Sequence, residues 1–315
     1  MSDIKLFKLV GNKANELPGK ASDLEKPLQT LIELNLEELV GVRFLSSEHA
    51  TGNTHGGRID TLGIDEDNCP VIIEYKRSVG ENVINQGLFY LNWLMDHKAE
   101  FELLVLKRFG QIVADSIDWI GPRLICIAAD FTKYDGHAVQ QMNHSIELIR
   151  YKRFGSDLLL LELVNASSGA SPAFKAAGSS RKIVAAKQAS LANGKSSSTG
   201  DKTVSQWLAS MTIEHKALFD SLEGYLLSLG DDVQRKDLKL YIAFKRLRNF
   251  ACLGFKKDAM YVWLKLDPTN VSLEDGFSRD VQQIGHWGTG DLELLIRSHG
   301  DLDKAKALIQ KAYEG

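Results

Sequence analysis

Apolar positions along the chain change period several times, and each change marks a structural element. A short alternating run, Ile4–Val10, predicts a strand. From about Leu24 to Leu39 the spacing turns helical: Leu24, Leu28, Leu31 and Leu39 share a pattern, with Ser22 or Asp23 placed to cap its start. Pro27 costs little there because it falls near the first turn. Two strand patterns, Arg58–Ile64 and Pro70–Lys76, enclose the acidic turn Asp65–Cys69, and a helix is predicted over about Glu81–His97. Further strands are expected at Phe101–Leu106, Leu124–Ala129, Ile146–Tyr151 and Leu158–Val164, with a helix over 136–144. Strands interleaved with helices predict an α/β layered domain.

The pattern lapses over 167–203, where serine, alanine, glycine and lysine dominate and six basic residues stand against one acidic residue. Such a stretch buries too little apolar surface to offset its ordering entropy, so it reads as a flexible basic linker. It divides the chain into a first domain, 1–166, and a second, 204–315, as the length of 315 residues also suggests. The second domain predicts helices at Val204–Met211 and His215–Leu229, then strands at Leu240–Phe244, Phe250–Phe255 and Met260–Leu266. A last helix spans about Leu302–Tyr313 with Asp301 as its cap, giving a small α+β domain.

Composition narrows the class without choosing a function. At 44% hydrophobic and 25% charged, with a formal charge of −3, the chain has ordinary globular composition. No apolar run approaches the ~20 residues that span a bilayer, and the N-terminus lacks a signal-peptide core. Cys69, Cys126 and Cys252 are far apart with no CxxC pair, which argues against a disulfide framework or a cysteine zinc site. A cytoplasmic protein without membrane partners is expected.

The chemistry concentrates in the hairpin. If it turns about Asp67, residues pair as mirror images across that position, and Asp60 falls opposite Glu74. Directly opposed side chains have Cβ atoms about 4.5–5.5 Å apart, where like charges repel. Lys76 projects from the face of Glu74, two residues on, while Val71 and Ile73 point to the other face. A hard cation, Mg²⁺ or Mn²⁺, would relieve the repulsion, with Asp60, Glu74 and the backbone carbonyl of Tyr75 as ligands. Lys76 could then orient a water or offset charge on a phosphate. The same alternation of Arg58, Asp60, Glu74 and Lys76 also fits a solvated face. On the next helix Gln86, Tyr90, Trp93 and His97 form a stripe that either leans over the site or joins the core.

The order Glu25, Asp60, Glu74-x-Lys76, Gln86, Tyr90 resembles the PD-(D/E)xK nucleases, and more narrowly the NucS-type endonuclease domain. The stretches GRIDTLGIDEDNCPVIIEYKR and NQGLFYLNWL carry the similarity, which extends over about residues 20–165. The resemblance implies a restriction-endonuclease-like mixed sheet flanked by helices and a Mg²⁺- or Mn²⁺-dependent DNA endonuclease. Asp60, Glu74 and Lys76 would form its catalytic core, joined by Glu25, Gln86 and Tyr90. Glu25 doubles as the last member of a capping box with Ser22, and Glu33, Glu37, Glu38 and Glu48 are other acidic candidates. Known NucS-type enzymes place a DNA-binding, dimerising domain before the nuclease domain. Here the nuclease-like domain comes first, so mismatch preference does not carry over, and a homodimer stays open.

Arg58 and Arg77 flank the acidic pair and suit phosphate contacts. In the second domain eight basic residues lie between Arg235 and Lys257, with Tyr241, Phe244, Phe250 and Phe255 among them. Lys245, Arg246 and Arg248 are the candidate nucleic-acid contacts there, with DNA the expected partner and RNA left open. The alternative is a sheet core with solvated charges. GHWGTGD, 285–291, reads as a tight turn, because it lacks the lysine of a phosphate-binding loop. His286 has no zinc partners in view. This C-terminal segment resembles a family of unknown function labelled predicted transport protein, which the lack of a membrane segment does not support. Against the enzyme stands a second function, a non-catalytic nucleic-acid-binding or protein-interaction module on a nuclease-like scaffold.

Overall fold

The structure is a computed structural model, and it describes residues 4–21, 25–76, 83–167 and 202–315. Ser22, Asp23, Leu24 and Arg77, and nearly all of the basic linker, lie outside the described residues. The first domain opens with a separate hairpin, β1 (Leu6–Val10) and β2 (Lys13–Leu17), followed by β3 (Gly19–Lys20). The expected first helix is two, α1 (Glu25–Leu34) and α2 (Leu36–Val40), broken at Asn35, whose amide turns back onto the Leu31 carbonyl at 2.9 Å. Gly41, at φ 66°, ends α2 in the left-handed conformation that suits glycine.

β4 (Val42–Ala50) and the short α3 (Gly52–His55) follow, then the hairpin β5 (Arg58–Asp65) and β6 (Pro70–Lys76). Three helices come next: α4 (Val83–Asp96), α5 (Lys98–Phe109) and α6 (Gln111–Asp115). β7 (Arg123–Ala128), α7 (Lys133–Gln141), β8 (Ser145–Phe154) and β9 (Leu158–Ser167) complete the domain. The strand expected at Phe101–Leu106 is therefore helix. A strand would place Phe101, Leu103 and Val105 on one face. Phe101 and Val105 are buried while Leu103 is 47% exposed, which is helical i, i+4 geometry. The helix expected over 136–144 starts earlier because Thr132 and Asp135 form a capping box.

The main sheet runs β3-β8-β7-β6-β5-β4, with β9 also on β8. β6, β7 and β8 are parallel and the other pairs antiparallel, so this is a mixed sheet with helices on both faces. Val71, Ile73, Tyr75, Ile125 and Ile127 pack against Leu28, Ile32, Leu36 and Val40 of α1 and α2. Leu62, Ile72, Leu124 and Cys126 pack against Leu91 and Leu94 of α4 and Phe101 and Val105 of α5.

The second domain is α8 (Val204–Ser210), α9 (Ile213–Ser228), β10 (Gln234–Asp237), β11 (Ile242–Lys245), β12 (Asn249–Lys256), β13 (Ala259–Leu264), β14 (Ser278–Asp280), β15 (Leu292–Ile296) and α10 (His299–Glu314). Its antiparallel sheet runs β10-β11-β12-β13-β15-β14. The helices cover one face, through Phe219, Leu222, Leu302 and Ile309. Ser298, not Asp301, caps α10: its side chain accepts the Asp301 N–H, and Asp301 accepts the Arg297 N–H. Residues 285–291 form an irregular connection ahead of β15 rather than a hydrogen-bonded tight turn. Gly288 lies against Cys252 and Trp263, where a Cβ would come within 2.5 Å, and the His286 ring stacks on Trp263.

The other face of the second sheet receives the acidic turn of the β5–β6 hairpin. Cys69 packs among Leu238, Tyr241, Ala243, Cys252, Trp263 and Val281. Asp67 accepts from the Tyr241 hydroxyl (2.9 Å), the Asn249 amide (2.8 Å) and the Lys236 ammonium (3.0 Å). Glu66 accepts from the Asn249 N–H and from Lys265. Beneath the turn, Arg123 reaches Asp65 at 2.9 Å and grips Glu147 twice, at 2.8 and 3.0 Å, while Lys245 donates to Glu147 at 2.9 Å.

This junction corrects the reading of Lys245 as a nucleic-acid contact. It is 3% exposed and its ammonium is spent on Glu147. Arg246 pairs with Asp232 at 2.6 Å and lies over the Tyr313 ring, and Arg248 pairs with Glu38 at 2.8 Å. Lys236, Lys245 and Arg248 of the basic stretch thus pair with carboxylates of the first domain, and Arg235 and Arg246 with carboxylates of their own. Cys69, Cys126 and Cys252 are free thiols, all buried. Among the described residues no helix is long and apolar enough to cross a membrane.

Candidate active site at the open end of the hairpin

The hairpin pairs Thr61 with Ile73, Leu62 with Ile72, Gly63 with Val71 and Ile64 with Pro70, which is the register expected from a turn about Asp67. An apolar face on each side of the sheet fixes that register, since a one-residue slip would exchange the faces. Beyond Thr61 and Ile73 the side chains take over the cross-strand bonding. Glu74 Oε1 accepts the Asp60 N–H at 3.2 Å, and Asp60 Oδ2 accepts the Tyr75 N–H at 3.0 Å. The two carboxyl groups are thus held against each other, where the ladder stops.

Their electrostatics follow from this confinement. Glu74 is fully buried, and its Oε2 has no hydrogen-bond partner among the described residues. Burial, and then the neighbouring Asp60 charge, push its carboxyl up to about 9. Burial also raises Asp60, opposed by the Tyr75 N–H and by Lys76. Lys76, mostly buried, lies with its Nζ 3.9 Å from Glu25 at the start of α1. Sequence order alone does not bring Glu25 and Lys76 together; the packing of α1 beside β6 does.

A polar scaffold supports the pair from the α1 side. The Gln29 amide donates to the Asp60 carbonyl at 2.8 Å and to Glu33 at 2.9 Å. The Thr61 hydroxyl donates to Glu33 at 2.6 Å and lies 3.3 Å from the Tyr75 hydroxyl. Gln29 and Thr61 are buried, and neither carried a sequence signal beyond a polar residue in an apolar pattern.

Glu48 is the less expected member. It lies between Ser47, paired with Thr61, and His49, paired with Ile59, so it falls opposite Asp60. Its φ of 53° is left-handed, unusual for a non-glycine strand residue and a mark of a constrained position. It ties together Lys26 at 2.7 Å and Arg58 at 2.5 Å, and Lys26 and Arg58 draw its carboxyl downward. Arg58 is thereby fixed at the rim with its side chain 66% exposed.

The helical stripe divides. Tyr90 is buried, packs its ring on Gly57, and its hydroxyl accepts the Arg58 N–H at 3.1 Å. It positions the start of β5 rather than presenting its hydroxyl to solvent. Trp93 is core and stacks on His97 at 4.9 Å between ring centroids. Gln86 lies one turn before Tyr90 and is half-buried.

Could this arrangement hold a divalent cation? No group of three or more His, Cys, Asp or Glu side chains among the described residues is arranged to hold a metal ion. What the site has is two adjoining carboxyl groups, one with a buried unpartnered oxygen. Hard oxygen donors of this kind fit Mg²⁺ or Mn²⁺, which keep several waters when bound.

Residues 204–315 match a family described as a domain of unknown function, DUF5655. Part of the chain shows weak likeness to two solved structures. One is a repair endonuclease from Pyrococcus abyssi, 18% identical over 41% of this chain and 49% of that one, with a TM-score of 0.27. The other is an EndoMS complex with double-stranded DNA, 21% identical over 43% of this chain and 47% of that one, with a TM-score of 0.23. The chain spans about half the length of each of these structures. Over nearly its whole length it matches a Haemophilus influenzae protein described as uncharacterized, with 31% identity covering 98% of this chain and 99% of that one. Both domains and their order fall within that match, and the chain belongs to the same family as the Haemophilus influenzae protein.

Proposed function

We propose that the protein is a metal-dependent DNA endonuclease whose site is built on Asp60, Glu74 and Lys76. The observation that carries this reading is the Glu74 Oε2 atom, buried without a partner beside the Asp60 carboxylate. An unpaired buried carboxyl oxygen is costly, and such costs persist chiefly where function needs the group. The sequence order Asp60, Glu74-x-Lys76, which resembles the PD-(D/E)xK nucleases, supports the same chemistry.

In this reading Asp60 and Glu74 hold Mg²⁺ or Mn²⁺, with the Tyr75 carbonyl as a further donor. The cation supplies Lewis acidity toward a phosphate oxygen and lowers the pKa of a bound water. Lys76 contributes positive charge beside the carboxylates, and Glu25 orients it through their ion pair. Glu48 holds Arg58 at the rim, where its exposed guanidinium suits a backbone phosphate. Gln29, Glu33 and Thr61 keep the strand carrying Asp60 in place.

The test is cleavage of circular and linear DNA, single- and double-stranded, with Mg²⁺ or Mn²⁺, by the full chain and by Asp60→Asn and Lys76→Ala variants. Cation-dependent cutting of circular DNA that both variants lose is the expected result. Binding of DNA with no cleavage of any of these substrates would favour the non-catalytic module.

A further inference from the structure

The second domain contains a cavity of about 300 Å³ that lies away from the hairpin site. Its floor is apolar: Leu218, Phe255, Met260 and Ile296 are each buried beneath it. Trp207 and Met211 form a wall, and Thr212 and His215 line it from the first turn of α9. Around the mouth stand Lys202, Lys256 and Lys257, with Asp258 the one acidic lining residue.

Many cations of the domain are paired, and the three mouth lysines lie outside those pairs. Lys216, Arg235, Lys236, Lys245, Arg246 and Lys265 all sit in ion pairs with carboxylates. None of the three mouth lysines has a carboxylate partner among the described residues. Lys202 instead lies over the Trp207 ring at 4.7 Å, and Lys256 over Tyr261 at 5.7 Å. Three lysines against one aspartate around an apolar hollow match one kind of ligand: an apolar body that fills the floor, with an anionic head at the rim. The volume is at the lower end for small-molecule pockets, which bury apolar bodies and orient them by a few polar groups.

We infer that this cavity binds a small organic anion, an acyl or aromatic body ending in a carboxylate or phosphate, and that ligand recognition is a function of the second domain. The inference is independent of the nuclease reading, because no residue of the hairpin site lines the cavity.

The test uses the full chain and isothermal titration with octanoate, 2-naphthoate and benzyl phosphate, against 1-octanol and inorganic phosphate as probes lacking the head or the body. Binding of at least one amphiphilic anion is expected, with its headless or bodyless counterpart at least about tenfold weaker. The acyl and aromatic arms then identify the body, and the carboxylate and phosphate arms the head. A Lys256→Met, Lys257→Met double variant should weaken binding by about tenfold or more. Ala259→Trp should abolish it by filling the hollow. Melting temperatures confirm folding, and since Lys256 and Lys257 are exposed, the lysine variant stays informative even if Ala259→Trp fails to fold. Octanol binding as well as octanoate, or no amphiphilic anion binding at millimolar concentration, would overturn the inference.

Discussion

Replacing Glu147 by Gln removes the negative charge at the centre of the domain junction. The Glu147 carboxylate accepts two hydrogen bonds from Arg123, at 2.8 and 3.0 Å, and one from Lys245 at 2.9 Å, and all three side chains are at most 4% exposed. Without it Arg123 keeps Asp65, but Lys245 is left buried with no anion. Burial and the Arg123 charge already push Lys245 down to about 8, and Glu147 is the group that opposes them. Breaking a buried ion pair by removing one partner costs about 3–5 kcal/mol. Lys245→Met is milder, because Glu147 stays bonded twice to Arg123; about 1.5–3 kcal/mol is expected from the lost charge-assisted bond. Adding Lys245→Met to Glu147→Gln should restore part of the loss, since no unpaired ammonium remains. The assay is urea unfolding of the full chain at pH 7, followed by tryptophan fluorescence, with each variant's midpoint compared with wild type. If Glu147→Gln costs under about 1 kcal/mol, or no more than Lys245→Met, the junction is not held together by this charge and the reasoning fails.

Acid should loosen the same junction. Glu147 is held down at about 2 by Arg123 and Lys245, and Asp65 is held low by Lys236 and Arg123. Carboxyls depressed in the fold contribute stability above their unfolded pKa of about 4, and it is lost as pH falls from there through about 2. Stability followed by circular dichroism should therefore drop steeply over that window, and less steeply in Glu147→Gln. At the site, Tyr90→Phe removes the acceptor of the Arg58 N–H, and a loss of about 1 kcal/mol in thermal unfolding is expected. Gly57→Ala should cost more, about 1–3 kcal/mol, because its Cβ would stand 2.7 Å from the Tyr90 ring. A Gly57→Ala protein as stable as Tyr90→Phe would contradict that packing.

The hairpin was legible in the sequence because two constraints agree there. The acidic turn centres it on Asp67, and the apolar alternation of Leu62, Ile64, Val71 and Ile73 forbids a slip. That register alone places Asp60 beside Glu74. Glu48 was less legible: its strand, Val42–Ala50, carries serines, a glutamate and a histidine, and its left-handed backbone follows from tertiary pairing. The Phe101 segment misled because a short apolar run fits helix or strand, and only burial of Phe101 and Val105 with Leu103 outside separates them. The basic stretch from Arg235 to Lys257 suggested phosphate. Arg235 and Arg246 instead meet the nearby Glu223, Asp237 and Asp232, while Lys236 and Lys245 reach Asp65, Asp67 and Glu147, far away in sequence and invisible to local pattern.

These contacts also give the hairpin two ends with different work. Its turn is embedded in the second domain, and its open end carries the carboxylate pair, about five residues and roughly 15 Å away along the strand. The second domain thereby braces the strands that hold Asp60 and Glu74.

The most direct test of the central claim is Mn²⁺ binding to the full chain by isothermal titration and electron paramagnetic resonance, beside Asp60→Asn and Glu74→Gln. Saturable binding to the wild type, weakened at least about tenfold in both variants while they stay folded, is the predicted result. Wild-type binding that survives both substitutions, or no binding at millimolar Mn²⁺, would contradict the assignment of this carboxylate pair as the cation site.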